Sequence, residues 1–432
     1  MQFPFKNIFN ESCDPIDLHG KQINHFLYAD DLIILSLSKQ GLQNCLNRLQ
    51  EYSRANRLTI NIAKTKSMIF NHTGKMIKEN IFVDNKKLEQ VLTFCYLGFD
   101  FKASGVVSSA INTLYDKANK AMRPLIGIIY RFNIPVRIAI KLFHTFISPI
   151  MLYTTENWVF LNDRKLRNFT EDSIFIDTRK DKIDILHRHF LKSILGTSKS
   201  CPNMAVYGEM EEIPLSLKAF RLMLNYWYRI TNLPEDTLVK MALLENIQLR
   251  TNWITTIEKL TNIFDLTDLP RNLSPKILSL FKTKTYKNIR NKYILFWAKT
   301  KEKEKTSRTQ FYDKIKTQFS FEKYLEIPIL FQRQVITKLR VSDHKLEIEK
   351  GRHNKVPKEE RWCRVCDSGE IETEEHFLIK CKFYDNLKLR YQFIQYENMD
   401  ILLNTDPQKL GRYLIDAFEE RKIAYEPPPS EK

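Results

Sequence analysis

Residues 25–35 read HFLYADDLIIL, two short apolar runs on either side of a pair of aspartates. This pattern predicts a β-hairpin that carries Asp30 and Asp31 at its tip. Two carboxylates held at the end of a hairpin can present oxygen ligands to Mg²⁺. Because aspartate pairs are also common in ordinary turns, the surrounding sequence has to decide between a metal site and a simple turn.

The chain around this hairpin is typical of a small α+β unit. We expect residues 1–24 to be irregular, and we expect Ser38 to cap a helix whose apolar residues recur at helical spacing. The ranges 58–62, 67–70 and 94–99 have the composition of strands.

From about residue 108 the apolar residues follow helical spacing, which predicts a mostly α-helical remainder. Amphipathic helices are expected over 183–195 and 215–230. The charged stretch 299–310 is expected to be an exposed linker or a helix extension, and the proline-rich tail 426–430 to be disordered.

Charge indicates a polyanionic partner. The chain has 68 Lys and Arg against 51 Asp and Glu, a net charge of +17, and residues 276–310 alone carry +9. Cations interleaved with aromatic residues suit a nucleic-acid strand. Equally, Ile294, Leu295, Phe296 and Trp297 could form the core face of a helix that has the lysines on its solvated side. The candidate nucleic-acid-binding residues are Lys282, Lys284, Tyr286, Lys287, Arg290 and Lys292, alongside the aromatic residues Tyr293, Phe296 and Trp297. For a second basic stretch, His187, Arg188, His189 and Lys192, a solvated helix face is the favoured interpretation.

Composition excludes several classes of protein. No two of the eleven glycines are spaced G-x-G, so neither a dinucleotide-binding loop nor a phosphate-binding P-loop is present. No apolar run is long enough to span a bilayer, and we expect no secretory signal and no membrane partner. The odd count of seven cysteines favours free thiols or metal ligands over disulfides.

Three of these cysteines and one histidine follow the spacing C-x2-C-x9-H-x4-C. Four such ligands close a tetrahedral Zn²⁺ site with no position for water, so the predicted role is structural. Accidental clustering is the alternative. The proposed ligands are Cys363, Cys366, His376 and Cys381, whereas Cys13, Cys45, Cys95 and Cys201 are expected to be small core residues.

The order of these motifs resembles the reverse transcriptases of non-LTR (LINE-type) retrotransposons, over most of residues 1–400. FLYADDL at 26–32 resembles palm motif C, LTIN at 58–61 with KTK at 64–66 resembles motif D, and FCYLG at 94–98 resembles motif E. Further stretches resemble the thumb, the segment after it and the C-terminal Cys-Cys-His-Cys region of the family: SP at 148–149, ENW at 156–158, ILGTSK at 194–199, GE at 208–209, LRVS at 339–342 and GR at 351–352.

The resemblance implies roles for particular residues. Asp30 and Asp31 would lie at the catalytic Mg²⁺ site, Lys64 and Thr65 near the incoming nucleotide, and the turn Tyr96-Leu97-Gly98 at the primer 3′ end. The zinc region would take part in nucleic-acid binding. The implied partners are RNA and DNA, as template-primer and target DNA, in the nucleus and cytoplasm.

One departure from the family bears on activity. The family's third catalytic carboxylate lies on motif A, far upstream, and neither motif A nor motif B fits into the 29 residues before Asp30. The acids there, Glu11, Asp14 and Asp17, are not credible substitutes. We therefore expect the chain alone to be inactive, with possible complementation by an upstream palm and fingers segment.

The predicted architecture is an α+β palm remnant, a mostly α-helical thumb and connector, and a small zinc-binding C-terminal domain. Two functions remain open: a fragment of an RNA-directed DNA polymerase, or a non-catalytic RNA- or DNA-binding protein derived from a retrotransposon. The predicted domains are a partial palm at 1–105, a thumb-like domain at 106–235, a basic connector at 236–320, the zinc-binding domain at 321–400, and a C-terminal helix with a tail at 401–432.

Overall fold

A computed structural model describes most of the chain: residues 8–9, 11–159, 170–176, 181–267, 274–303, 309–393, 399, 403 and 406–425. The predicted tail at 426–430 lies outside these residues. The chain divides into two compact units, each assembled from three separate segments. Unit 1 comprises Met1–Leu114, Thr154–Phe169 and Phe220–Thr285, and unit 2 comprises Tyr115–Tyr153, Thr170–Ala219 and Tyr286–Lys432.

All the strands in the described residues belong to unit 1, where they pair two by two. Four pairs are antiparallel, and β5 with β8 is parallel. The strands are β1 (Ile16–Leu18), β2 (Lys21–Ile23), β3 (His25–Tyr28), β4 (Asp31–Ile34), β5 (Lys66–Ser67), β6 (Phe82–Val83), β7 (Lys86–Lys87), β8 (Glu89–Gln90), β9 (Thr93–Tyr96) and β10 (Phe99–Lys102).

The first strands correct the expectation that residues 1–24 are irregular. β1 and β2 form a hairpin across the turn His19-Gly20, where both residues have positive φ, 51° and 78°. Two positive φ values match the twist of a two-residue hairpin turn. The sequence did not predict this hairpin, because strands of three residues are too short to show a recognisable alternation of apolar and polar residues.

Helix α1 (Lys39–Ala55) organises the rest of this region. The Ser38 side chain accepts a hydrogen bond from the backbone N–H of Gly41 at 3.0 Å, which is the predicted cap. One side of α1 packs with Leu32 and Ile34 of β4, and its neighbouring face packs with Ile81, Val83 and Leu88. The hairpin that carries Asp30 is therefore fixed to a helix through its second strand.

The strand predicted at 58–62 is absent, and at 67–70 only Ser67 belongs to a strand. Ile60 and Ile62 pack against the apolar clusters around α1. Their alternation therefore reflects contacts with a helix and does not indicate strand pairing, which explains why the pattern misled.

Helices make up most of the remaining described residues, and the helices predicted at 183–195 and 215–230 are confirmed almost to the residue. The helices after α1 are α2 (Ser108–Arg131), α3 (Val136–Leu142), α4 (Ser148–Met151), α5 (Thr155–Trp158), α6 (Ser173–Ile176), α7 (Lys182–Leu195), α8 (Asn203–Met210), α9 (Leu215–Thr231), α10 (Leu238–Gln248), α11 (Asn252–Ile263), α12 (Pro275–Lys303), α13 (Gln310–Ile315), α14 (Leu330–Arg340), α15 (Glu347–His353), α16 (Asp385–Arg390) and α17 (Pro407–Tyr425).

Shorter helical turns link these elements. Two are π-helical, Phe143–Ile147 and His376–Lys380, and the others are 3₁₀ turns at Glu11–Cys13, Lys323–Glu326, Lys358–Glu360 and Lys382–Tyr384. The charged stretch predicted at 299–310 continues α12 as far as Lys303, and residues 304–308 lie outside the described part. None of the described helices combines the length and apolar character that crossing a membrane requires.

Candidate functional site

The aspartate pair lies where the sequence predicts it, at the end of the β3–β4 hairpin. Tyr28 pairs with Asp31 across a two-residue turn formed by Ala29 and Asp30. Ala29 has a φ of 53°, in the left-handed region that tight hairpin turns use. The backbone thus places both aspartates at the tip of one hairpin.

Both carboxylates face solvent. The neighbouring β3 residues Phe26, Leu27 and Tyr28 are also exposed, at 43%, 41% and 63%. Among the residues that the structure describes, no third His, Cys, Asp or Glu side chain joins Asp30 and Asp31 in a cluster able to hold a metal ion. The tip offers two oxygen ligands beside an exposed apolar strand.

The two other predicted palm positions lie on turns of unit 1. The backbone N–H of Lys64 donates to the Asn61 side chain at 3.1 Å, and the Thr65 hydroxyl donates to the Asn61 carbonyl at 2.9 Å. Leu97 and Gly98 form the two-residue turn between β9 and β10, with φ values of 47° and 83°. Leu97 is 40% exposed, so an apolar side chain is presented to solvent from a backbone geometry that favours glycine or asparagine.

The four predicted zinc ligands come together in unit 2. Their ligand atoms all lie within 4.8 Å of one another. The sulfurs of Cys363 and Cys381 are 3.9 Å apart, and Cys366 Sγ lies 3.3 Å from Nε2 of His376. Tetrahedral zinc bonds of about 2.3 Å place two sulfurs about 3.8 Å apart, which matches. These residues could hold a metal ion, and their donor set is consistent with zinc.

The four ligands of the cluster interact closely with one another and with Glu370. Hydrogen bonds from Cys381 and, to a smaller degree, His376 lower the pKa of Cys363 to about 3. The same contacts with Cys363 raise the pKa of Cys381 and raise the pKa of His376 to about 9, so the cluster shares its protons around one thiolate, and a metal ion would displace them. Nδ1 of His376 lies 2.8 Å from a carboxylate oxygen of Glu370. This contact orients the ring so that Nε2 faces the sulfurs. The Cys and His spacing gave no indication of Glu370, and only the fold shows its contact with His376.

The basic candidates lie on α12. For this stretch the sequence left two interpretations, a nucleic-acid-binding surface and a helix core face, and the burial of the side chains bears on both. Tyr293 and Trp297 are buried, whereas Tyr286 is 46% exposed. A buried stripe recurs every four residues, at Phe281, Thr285, Ile289, Tyr293 and Trp297. The sequence 294–297 is therefore not a continuous core face, since Leu295 is 66% exposed.

The cations on α12 differ in their surroundings. Arg290 forms an ion pair with Glu211, and Lys292 lies 3.3 Å from Glu171. In the described residues no carboxylate pairs with Lys282, Lys284 or Lys287. Lys282 and Lys287 are also exposed, so these two are the best placed to meet a phosphate.

The weaker basic stretch is only partly a solvated helix face, because His189 is exposed and Lys192 half-buried but the other two residues are not. His187 is fully buried and Arg188 is 7% exposed. Burial, followed by the nearby His144 and Arg188, holds the pKa of His187 well below its usual range, so the ring is neutral.

A second correction concerns the four isolated cysteines, which were expected to be core residues. Cys95 is exposed on β9, whereas Cys13, Cys45 and Cys201 are buried as expected.

A buried ion pair in unit 2 was not anticipated from the sequence. Arg340 donates two hydrogen bonds to Glu209, at 2.9 and 3.1 Å, and both side chains are almost completely buried. Glu322 lies 3.1 Å from the same guanidinium, and the Tyr324 hydroxyl donates to Glu209 at 2.6 Å. The stretches 208–209 and 339–342, noted separately for their resemblance to one family, thus meet in the fold.

Comparison with known proteins adds one finding on unit 1. Residues 4–101 match the family described as reverse transcriptase (RNA-dependent DNA polymerase). The matched range contains the aspartate hairpin, the Lys64-Thr65 turn and the Leu97-Gly98 turn. No curated protein matches the chain. The match supports a relationship of residues 4–101 to RNA-directed DNA polymerases, a family whose substrates are nucleic acids.

Proposed function

We propose that this chain is the C-terminal part of the RNA-directed DNA polymerase of a LINE-type retrotransposon, acting on a template-primer. The observation that carries the proposal is the exposed aspartate pair at the hairpin tip, inside the range that matches the reverse transcriptase family. Phosphoryl transfer needs carboxylates that hold two Mg²⁺ ions at the attacking and leaving oxygens. Asp30 and Asp31 are the proposed ligands.

The other turns of unit 1 fit the same proposal. Lys64 and Thr65 would approach the incoming nucleotide, and the exposed Leu97, with Tyr96 and Gly98, would contact the primer 3′ end. The proposed thumb and connector follow at 106–235 and 236–320. The cluster of Cys363, Cys366, His376 and Cys381 would hold a structural Zn²⁺ and stabilise a nucleic-acid-binding region at the C-terminus.

Catalysis on this proposal requires a further carboxylate. Two oxygen ligands do not complete a two-metal site, and the described residues place no third carboxylate beside Asp30 and Asp31. Among the described residues β3 pairs with β4 alone, and its other edge could accept a further strand, because unpaired backbone groups at a sheet edge are a template for pairing. A complementing palm segment would bring the missing carboxylate there.

The first prediction tests this requirement. The purified 432-residue chain, given a poly(rA)–oligo(dT) template-primer, Mg²⁺ and dTTP, is expected to incorporate no nucleotide above background. Addition of a palm and fingers segment from a related element is expected to produce synthesis that Asp30→Ala lowers at least about 100-fold, since a metal ligand stabilises the transition state by several kcal/mol.

The control for this experiment is Glu51→Ala, which removes an exposed carboxylate from α1 of the same unit and is expected to leave synthesis unchanged. Synthesis by the chain alone that Asp30→Ala abolishes would disprove the need for complementation. Synthesis that is insensitive to Asp30 would disprove the proposed metal site.

The second candidate function, non-catalytic RNA or DNA binding, is favoured by Lys282 and Lys287 of α12, which pair with no carboxylate among the described residues. On either function, Lys282→Ala and Lys287→Ala are each expected to weaken binding of an RNA–DNA hybrid. Each substitution should also reduce the slope of log affinity against log salt by about 0.9, because each phosphate contact releases counterions. Fluorescence anisotropy over a salt series measures both quantities.

The matched control is Lys292→Ala on the same helix. Since Lys292 already pairs with Glu171, its loss should change the salt slope less than the loss of Lys282. Equal effects of the three substitutions would show that α12 acts only through its overall charge. Binding without synthesis, under every complementation condition, would favour the second function.

A further inference from the structure

A second group of metal-ligating side chains lies in unit 2, apart from the cysteine cluster. His144 comes from the π-helical turn Phe143–Ile147, His187 from α7, and Glu212 follows α8. Their ligand atoms lie within 4.8 Å of one another. Three elements that are far apart in the sequence thus direct two imidazoles and one carboxylate to a common point.

The distances suit a tetrahedral metal. Nε2 of His144 lies 3.0 Å from Oε2 of Glu212, and Nε2 of His187 lies 3.6 Å from the same oxygen. Zinc bonds of about 2.0–2.1 Å to nitrogen and oxygen place two tetrahedral ligands about 3.4 Å apart. The observed values lie on either side of that separation.

Hydrogen bonding does not explain why the polar ring of His187 is buried at this position. Its side chain is fully buried, and neither ring nitrogen has a hydrogen-bond partner. The 3.6 Å between Nε2 and Glu212 is too long for a hydrogen bond. Because a buried polar group without a partner is costly, a ligand beyond the protein atoms would account for this ring. Phe143 stacks against it at 5.2 Å between ring centroids, so the ring is held in place.

The surrounding residues show which side of the group is open to solvent. His144 and Glu212 remain 28% and 18% exposed, so the group is open to solvent on their side. Arg188 and Lys218 lie close enough to act electrostatically on His187, and Lys218 also donates to the Ser148 hydroxyl at 3.2 Å. These cations oppose a bare metal ion, whereas the Glu212 carboxylate and a water or hydroxide on the metal would offset them.

We propose that His144, His187 and Glu212 form a second metal site, which binds Zn²⁺ through two nitrogens and one oxygen and keeps one exchangeable position for water. This donor set is typical of zinc sites that retain an open position. The site would join the π-helical turn, α7 and the segment after α8. It is independent of the polymerase proposal, because it uses residues of unit 2 alone.

The test is the number of metal ions bound by the full chain. The chain loaded with Co²⁺ is expected to hold two equivalents, one of which gives the thiolate-to-cobalt charge-transfer absorption of the cysteine cluster. Glu212→Gln and, separately, His144→Gln are expected to lower the count from two to one while leaving the thiolate absorption unchanged. That absorption also reports that unit 2 has folded around the cysteine cluster in each variant.

Glu211→Gln is the matched control, because it alters the adjacent carboxylate, which pairs with Arg290 and belongs to no metal-ligating group among the described residues. It should retain both equivalents. A wild-type chain that holds one equivalent, or a Glu212→Gln chain that still holds two, overturns the proposal. Loss of both equivalents together with the thiolate absorption in the His144 and Glu212 variants would also overturn it, since the effect would then be one of folding.

Discussion

The variant Cys363→Ser is expected to lose the metal ion of the cysteine cluster and to unfold the segment around it. Serine cannot supply a thiolate, and the three remaining ligands leave a tetrahedral site incomplete. Metal binding to such sites contributes about 10 kcal/mol or more to folding in small zinc domains. Because Phe377 and Tyr384 also pack in this segment, the expected loss here is smaller, on the order of several kcal/mol.

Two measurements check this prediction. Metal analysis of the reduced protein should show one equivalent fewer than the wild-type chain, and limited proteolysis should cut between residues 362 and 393 much faster. Cys95→Ser is the control, because Cys95 is exposed on β9 in the other unit. If the reduced wild-type chain contains no zinc, the cluster is a group of ordinary thiols and the prediction is wrong.

The variant Arg340→Met is expected to destabilise unit 2 by about 3–5 kcal/mol. The substitution leaves the Glu209 carboxylate buried without its cation, and methionine supplies none of the guanidinium's hydrogen bonds. An unpaired buried charge costs more than the intact ion pair contributes, which is why removing one partner has so large an effect.

Urea unfolding followed by tryptophan fluorescence measures the effect, since Trp297 is buried in the same unit. Lys299→Met provides the comparison. Lys299 and Asp172 lie 3.0 Å apart, but their side chains are 52% and 37% exposed, and such a surface pair contributes at most about 1 kcal/mol. Equal urea midpoints for the two variants would contradict the role given to the buried pair.

The features that the sequence predicted well depend on residues close together in the chain. The aspartate turn needs only Tyr28 to Asp31, with apolar strands on both sides, and the fold confirms this hairpin. The cysteine cluster spans nineteen residues with a recognisable spacing, and its four ligand atoms do converge. The main helices follow from apolar periodicity over several turns.

What could not be predicted depends on contacts between distant residues or on very short elements. Nothing local marks Glu209 and Arg340 as partners, because 131 positions separate them. In the sequence, His187 belongs to a basic stretch. Only the fold shows that its position on α7 faces the interior, where Phe143 stacks on the ring. The apolar spacing of Ile60 and Ile62 has the period of a strand, yet these residues pack on a helix.

The division of unit 1 into three chain segments has a consequence for synthesis on the ribosome. Residues 1–114 leave the ribosome before residues 220–285, but β1 packs with α10, and His19 lies 3.5 Å from Glu245 of that helix. At a translation rate of about 5–20 residues per second, the segment that ends at Thr285 follows roughly ten to thirty seconds later. Until that segment emerges, β1 cannot make its contacts with α10, so unit 1 completes its folding only after residues 220–285 have been synthesised.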